Sequence, residues 1–96
     1  MSLLPDAEVD AALTDLPDWR RDGAALRTEL RFGNFAEAFA TATRIALLAE
    51  RRNHHPDLTI GWGRLGIALT SHDAGGITRR DTDMARAIAE WKKSSS

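Results

Sequence analysis

The sequence predicts an α+β fold, in which a four-stranded antiparallel sheet has helices packed on one face. Apolar residues recur at helical spacing in three segments, at residues 5–15, 34–52 and 78–91. Two pairs of segments with alternating apolar and polar residues lie between them, and each pair surrounds a short turn that contains glycine. The predicted order is helix, hairpin, helix, hairpin, helix, and one sheet is the most economical way to join the two hairpins.

The first helix is predicted for residues 5–15. Pro5 suits a first turn, where its missing N–H costs nothing, and Asp6 and Glu8 complement the positive end of the helix dipole. Pro17 ends the segment. One apolar stripe runs along this helix and consists of Val9, Ala12, Leu13 and Leu16.

The first hairpin is predicted from a short strand at residues 19–21, the turn pair Asp22-Gly23 and a second strand at residues 26–32. In the second strand the charged residues alternate with a mostly apolar set, which indicates a half-buried strand. That set consists of Leu26, Thr28, Leu30 and Phe32.

The strongest helix signal covers residues 34–52. Asn34 can cap the first turn, and Glu37 can complete a capping box three residues later. Pro56 prevents the helix from continuing. The predicted apolar side consists of Phe35, Phe39, Ala42, Ile45, Ala46 and Ala49.

The second hairpin is predicted from strands at residues 58–62 and 64–71, with a turn at Gly63-Arg64. One face of its later strand carries the small residues Gly66 and Ala68. Either another group lies close to the backbone there, or that face is weakly packed.

The last helix follows a flexible turn at residues 74–76. Thr78 is its predicted N-cap, and Asp81 is the capping carboxylate at the third helical position. Its apolar stripe consists of Met84, Ala85, Ile88 and Trp91.

Length and composition indicate one soluble domain over residues 1–96. A net charge of -1 gives no electrostatic reason to expect a nucleic-acid or membrane partner, and the lack of cysteine excludes disulfides and thiolate catalysis. No apolar run approaches the ~20 residues of a membrane span and no signal peptide is evident, so the cytoplasm is the expected location. The uncovered sheet face and edges favour a homo-oligomer.

The three histidines, His54, His55 and His72, are the main functional signal, because all lie within nineteen residues at predicted helix and strand ends. They could be surface loop residues without a task. They could bind a metal together with Asp57 or Asp73, although adjacent histidines in an extended segment point in opposite directions and no HxxxH or HExxH spacing occurs. They could also transfer protons near neutral pH, which is the ordinary range of imidazole.

In the acid–base interpretation, a nearby carboxylate such as Glu50 or Asp81 would orient an imidazole and fix its tautomer. No catalytic serine or phosphate-loop motif competes with it, so elimination or isomerisation without metal or organic cofactor is the expected chemistry. Simpler interpretations of single residues stay open at this point: Asp81 as a helix cap only, and Trp62 as core or interface packing.

The motifs N-H-H-P-D at residues 53–57 and T-S-H-D-A-G-G-I-T-x-R-D at residues 70–81 resemble the pterin-4a-carbinolamine dehydratase family. The aromatic Trp62, the L-P-D-W segment at residues 16–19 and the last helix extend the resemblance over most of the chain. It implies the same α+β fold in a dimer or tetramer. It also implies dehydration of a 4a-hydroxytetrahydropterin to the quinonoid dihydropterin, without a metal or cofactor.

Residue roles follow from the resemblance. It implies that His54, His55 and His72 are the active-site imidazoles and that Asp81 is the associated carboxylate. The implied substrate-binding residues are Glu50, His54, His55, Pro56, Ser71, His72, Asp73 and Ala74. Our hypothesis is that His54 and His72 act as acid and base while His55 binds and orients the ring.

One departure and one alternative belong to this interpretation. Leu58 stands where several members of the family have an aromatic residue, which puts the substrate preference in doubt. Some relatives of this fold are protein-binding modules, either dimerisation cofactors or Rubisco assembly chaperones. The chaperone type tends to lose the histidines, so the three histidines of this chain favour an enzyme.

Overall fold

A computed structural model describes residues 2–95, with side chains through Lys93. Seven elements follow in the predicted order, and the α+β class is confirmed. They are α1 (Asp6–Thr14), β1 (Arg20–Asp22), β2 (Ala25–Arg31), α2 (Phe35–Arg52), β3 (Asp57–Gly61), β4 (Arg64–Leu69) and α3 (Arg79–Ser95).

The four strands form one sheet in the order β1-β2-β4-β3, with every neighbouring pair antiparallel. The two hairpins therefore meet along their inner strands, where Thr28 pairs with Ile67 and Leu30 with Leu65. This register places the C-terminal end of β4 beside the start of β2. The segment after β4 then continues into the loop that precedes α3.

Both hairpin turns lie one residue away from their predicted positions. Asp22 pairs with Ala25, so the first loop is Gly23-Ala24, and Gly61 pairs with Arg64, so the second is Trp62-Gly63. The predictions Asp22-Gly23 and Gly63-Arg64 were wrong because register depends on which loop position requires a positive φ. Gly23 has φ +60° at the first loop position, and Gly63 has φ +68° at the second.

The core lies between the sheet and the helices. Alternate residues of β2 and β4 face it, and the intervening residues Arg27, Glu29 and Arg31 are exposed on the open face of the sheet. Val9 of α1, Ile45 of α2 and several α3 residues cover the inner face. The fully buried strand and helix residues of this core are Leu26, Leu65, Ile67, Leu69, Met84 and Ile88.

Helix α2 begins at the predicted cap. The side chain of Asn34 accepts a hydrogen bond from the amide of Glu37 at 2.8 Å, but the Glu37 carboxylate accepts from the Gly33 amide, at 3.2 Å. The reciprocal bond of the expected capping box would go to Asn34. The expected capping box is therefore half formed, with the Asn34 side chain in its predicted role and the Glu37 carboxylate one residue away from its own.

The predicted apolar side of α2 was partly wrong. Phe35 and Phe39 are 47% and 52% exposed, and Ala46 is exposed as well. The residues that face the sheet are Ala38, Ala42, Ile45 and Ala49. Their small side chains at helical spacing let the helix lie close to the strands, and two phenylalanines in that position would hold it away.

Candidate active site

The C-terminus of α2 positions the twin histidines. Asn53 has left-handed backbone angles of φ 51° and ψ 40°. The amide of His54 donates to the Ala49 carbonyl at 3.2 Å, and the amide of Asn53 donates to the Glu50 carbonyl at 3.3 Å. This Schellman-type ending reverses the chain direction. As a result His54 enters the protein and is 9% exposed, while His55 remains at the surface.

The N-terminus of α3 positions Asp81. The hydroxyl of Thr78 accepts from the amide of Arg80 at 3.2 Å, and the Asp81 carboxylate accepts from the amide of Thr78 at 2.9 Å. Thr78 and Asp81 therefore form the cap that the sequence predicts. Both side chains are completely buried, which is unusual for an aspartate and requires further partners.

Asp81 obtains those partners from two other chain segments. Its Oδ1 lies 2.5 Å from Nε2 of His54, and its Oδ2 accepts from the Ser71 hydroxyl at 2.9 Å. The hydroxyls of Ser71 and Thr78 are 2.8 Å apart. An ionised carboxylate only accepts hydrogen bonds, so the Asp81 carboxylate selects a His54 ring that carries a proton on Nε2.

His55 has a carboxylate partner of its own. Its Nε2 contacts Oε2 of Glu50, one turn back in α2, and both side chains are more than half exposed. This contact orients the ring by the same rule as at His54, since the carboxylate selects the tautomer with the proton on Nε2. The pair lies at the surface beside the buried His54–Asp81 pair.

His72 lies in a tight turn between β4 and α3. The carbonyl of Ser71 accepts from the amides of Ala74, Gly75 and Gly76 at 3.0, 2.9 and 3.2 Å, and Ser71 and Gly76 form an antiparallel bridge. Gly75 has φ +79°, which the predicted glycine turn requires. The imidazole of His72 is exposed and makes no hydrogen bond within residues 2–95.

These segments border one open hollow of about 220 Å³, and all three histidines are among its lining residues. Its lining consists of Asn53, His54, His55, Thr70, Ser71, His72 and Asp73. A larger hollow of about 500 Å³ lies over the open face of the sheet, but its lining contains no histidine. The smaller hollow is therefore the candidate active site.

The other residues of the predicted set lie around this lining. Glu50 lies behind His55, and Asp81 lies beneath His54 without reaching the hollow. Pro56 and Ala74 flank the twin histidines and the His72 turn in the chain but are not part of the lining. The substrate-binding roles of these residues stay predictions.

Two features of the site were not found from the sequence. Asn53 and Thr70 contribute to the lining, and Asp73 forms an ion pair with Arg80, whose Nη2 lies 2.6 Å from its Oδ1. That hydrogen bond lowers the pKa of the Asp73 carboxyl below its usual value. The position of Asn53 at the end of a helix before a proline was an available signal, because asparagine adopts the left-handed conformation readily.

No group of three or more histidine, aspartate or glutamate side chains in residues 2–95 has the arrangement of a metal site. In the same range no helix is long and apolar enough to cross a membrane.

The chain is similar to known proteins over nearly its whole length. The sequence profile of the family described as "Pterin 4 alpha carbinolamine dehydratase" matches residues 2–91. A protein of Thermomicrobium roseum is 48% identical over 90 residues, which cover 94% of this chain and 97% of that protein. One of Novosphingobium aromaticivorans is 46% identical, with 92% and 94% covered. Both carry the provisional name pterin-4-alpha-carbinolamine dehydratase.

Two solved structures share the fold. One, described as a transcriptional coactivator/pterin dehydratase from Brucella melitensis, is 30% identical with a TM-score of 0.87, over 93% of this chain and 97% of the other. The second is described as a pterin dehydratase-like RuBisCO assembly factor of the alpha-carboxysome. It is 24% identical with a TM-score of 0.62, over 74% and 84% of the two chains, and supports the fold alone. By its sequence and its architecture, the chain belongs to the pterin 4 alpha carbinolamine dehydratase family.

Proposed function

We propose that the protein is a dehydratase that converts a 4a-hydroxytetrahydropterin to the quinonoid dihydropterin, as a step of tetrahydropterin recycling. The observation that carries this proposal is that three histidines line one hollow, with the ring of His54 held by a buried carboxylate. A loop histidine without a task would not require a fully buried aspartate as its partner.

The reaction needs two proton transfers. The 4a-hydroxyl leaves as water only if its oxygen receives a proton, and the ring gives up a proton as the C–O bond breaks, so the net loss is one water. Imidazoles exchange protons near neutral pH, which suits both transfers. His54 is suited to the base role because the tautomer that donates from Nε2 to Asp81 has Nδ1 as its acceptor.

His72 is suited to the opposite transfer. It comes from the turn before α3, whereas His54 comes from the end of α2, so the two rings approach the hollow from different segments. His55, oriented by Glu50, would bind the flat ring of the substrate. In this proposal Ser71, Asp73, Ala74 and Pro56 contact the pterin, as the resemblance to the family implies.

The decisive experiment is a stopped assay with synthetic 4a-hydroxytetrahydropterin. We expect wild-type protein to accelerate dehydration over the buffer rate, and His72→Ala to be slower by about 10²-fold or more, the usual contribution of general acid–base catalysis. A His54→Ala, His72→Ala double variant should retain little activity. Wild-type turnover with an unaffected His72→Ala variant would contradict the assigned role, and wild-type protein that matches buffer would contradict the function.

Stability must be measured beside activity. Because His72 is exposed and its ring has no hydrogen-bond partner in the described residues, His72→Ala should melt within a few degrees of wild type. A loss of activity in His72→Ala then reflects the missing imidazole and not a loss of folded protein. His54→Ala removes a buried ring from Asp81 and should also lower the melting temperature, so the His72 variant is the cleaner test.

A second candidate is a non-catalytic protein-binding module with the same fold. It is favoured by the description of the Brucella melitensis structure, which names a transcriptional coactivator beside a pterin dehydratase. The assay separates the two functions, since a binding module would leave the dehydration rate at the buffer value.

A further inference from the structure

The turn that carries His72 is fixed at its base by backbone bonds. The amides of Gly75 and Gly76 both donate to the Ser71 carbonyl, and Ser71 is itself tied to the buried Asp81. His72 and Asp73 lie beyond this base, at the edge of the hollow, and both are exposed. Exposed turn residues without a side-chain anchor are the mobile part of most loops.

In the described part of the chain, one side-chain hydrogen bond reaches this part of the turn. Nη2 of Arg80 lies 2.6 Å from Oδ1 of Asp73, and the amide of Arg80 is held by the Thr78 hydroxyl at 3.2 Å in the first turn of α3. The guanidinium therefore projects from a fixed point of the helix onto the residue next to His72. Loss of this contact would leave the outer part of the turn held by its backbone alone.

We propose that Arg80 is a positioning residue, which holds Asp73 and through it fixes the turn that presents His72 to the hollow. The inference rests on the dehydratase function proposed above, because it concerns how His72 is held for that reaction. Arg80 does not line the hollow, so it acts through Asp73 and not on the substrate.

The environment of the guanidinium supports this role. Its Nε is buried and makes no hydrogen bond within residues 2–95, so the described hydrogen bonds of the side chain reduce to the one with Asp73. A buried donor without an acceptor has a cost, which a group placed only for surface charge would avoid by extending into water. The planar, always charged guanidinium also neutralises a carboxylate beside the imidazoles.

The test compares two neighbouring arginines. Arg79→Gln removes the same charge from the same helical turn, but Arg79 is exposed and its side chain forms no hydrogen bond or ion pair with the loop within residues 2–95. We expect amide hydrogen exchange at Gly75 and Gly76 to become about 2- to 5-fold faster in Arg80→Gln, the range that corresponds to loss of a partly exposed ion pair. Arg79→Gln should exchange as wild type. Equal exchange in the two variants would overturn the inference.

A second measurement tests the route through Asp73. If Arg80 acts on the turn only through this carboxylate, Asp73→Asn should speed the same two amides by the same factor. Adding Arg80→Gln to Asp73→Asn should then change nothing further. Additive effects of the two substitutions on exchange would show that Arg80 fixes the turn by another path, and would overturn the proposal.

Turnover gives a third measurement. In Arg80→Gln we expect kcat to fall about tenfold, because small displacements of a catalytic group are costly, while the melting temperature matches that of Arg79→Gln. Arg80→Lys, which keeps the charge, should recover part of kcat. A fall in kcat that follows only the melting temperature would overturn the positioning role.

If wild type has no dehydratase activity, the proposed function fails, and hydrogen exchange still tests whether Arg80 fixes the turn.

Discussion

Asp81 shows how one side chain can serve a helix and a site together. One oxygen accepts from the amide of Thr78 and caps α3, while the other faces Nε2 of His54. From the sequence, capping and catalysis were competing interpretations of this residue, because both predict an aspartate at this position. The geometry shows that they are compatible, since a carboxylate has two oxygens with separate hydrogen-bonding directions.

Replacement of Asp81 by alanine should destabilise the fold strongly. The cap contributes about 1 kcal/mol, and each buried donor left without an acceptor adds about 1–3 kcal/mol. The Ser71 hydroxyl and the His54 ring would both lose their partner. We expect the free energy of unfolding, from urea titration, to fall by about 3 kcal/mol or more.

Glu37 is the matched control for this measurement. It has the same position in the first turn of α2, and its carboxylate also accepts from a backbone amide, but it is exposed. Glu37→Ala should cost about 0.5 kcal/mol, because water replaces the lost partner. Similar losses in the two variants would mean that the buried network around Asp81 adds no stability.

The residues that the sequence identified best are those with a local cause. Thr78 and Asp81 were predicted because a cap depends on two residues three positions apart, and the twin histidines because they lie at a predicted helix end, close to His72 in the sequence. The pairing of Asp73 with Arg80 depends on how a turn folds back on the first turn of α3. The spacing of apolar and polar residues does not predict how a turn folds back, so the contact between Asp73 and Arg80 was visible only in the structure.

At the level of elements, the hairpins were predicted correctly and their turns were misplaced by one residue. Alternation of apolar and polar residues determines which face of a strand is buried, so it places β2 and β4 well. It does not determine which loop residue takes a positive φ. The positions of the positive φ, here Gly23 and Gly63, belong to the turn geometry, and this geometry sets the register of each hairpin.

These two glycines allow a matched prediction. Both have positive φ, but a Cβ on Gly23 meets nothing within 4 Å, whereas one on Gly63 would lie 2.9 Å from the Phe32 carbonyl oxygen. Gly23→Ala carries the backbone cost alone, about 1 kcal/mol. Gly63→Ala adds a clash with the main chain and should cost about 3 kcal/mol.

Thermal or urea unfolding of the two variants measures the difference. The amide of Phe32 also donates to the Gly63 carbonyl at 2.8 Å, so a shift that relieves the clash would strain a bond between the two hairpins. Equal destabilisation of Gly63→Ala and Gly23→Ala would show that the loop relaxes without disturbing this contact.

At the scale of the whole molecule, the structure favours a different surface for self-association from the one that the sequence predicts. From the sequence, the uncovered face and edges of the sheet were the expected contact surfaces of a homo-oligomer. That face carries charged side chains, and several are paired, as Arg27 is with Asp22 at 2.7 Å and Arg31 with Glu29 at 3.3 Å. Large apolar side chains are instead exposed elsewhere, at Phe35, Phe39, Leu47 and Trp62. Periodicity could not separate the two sides of α2, because both carry apolar residues.

The phenylalanine pair of α2, Phe35 and Phe39, is therefore the predicted contact of the homo-oligomer. The rings lie one turn apart with centroids separated by 6.1 Å, and burial of each against a second copy would contribute about 1.5–3 kcal/mol. We expect wild-type protein to sediment as a dimer or tetramer of the 10.6 kDa chain. Phe35→Ser with Phe39→Ser should shift it to the monomer without unfolding, because neither ring belongs to the core.

Trp62→Ser is the control for general surface stickiness. Trp62 is 74% exposed in the loop between β3 and β4, so its loss removes more exposed apolar surface than the loss of either phenylalanine. If the contact is specific to α2, Trp62→Ser stays oligomeric at concentrations where the phenylalanine variant is monomeric. Dissociation by Trp62→Ser alone would place the contact at the hairpin loop, and a monomeric wild type would contradict the predicted assembly altogether.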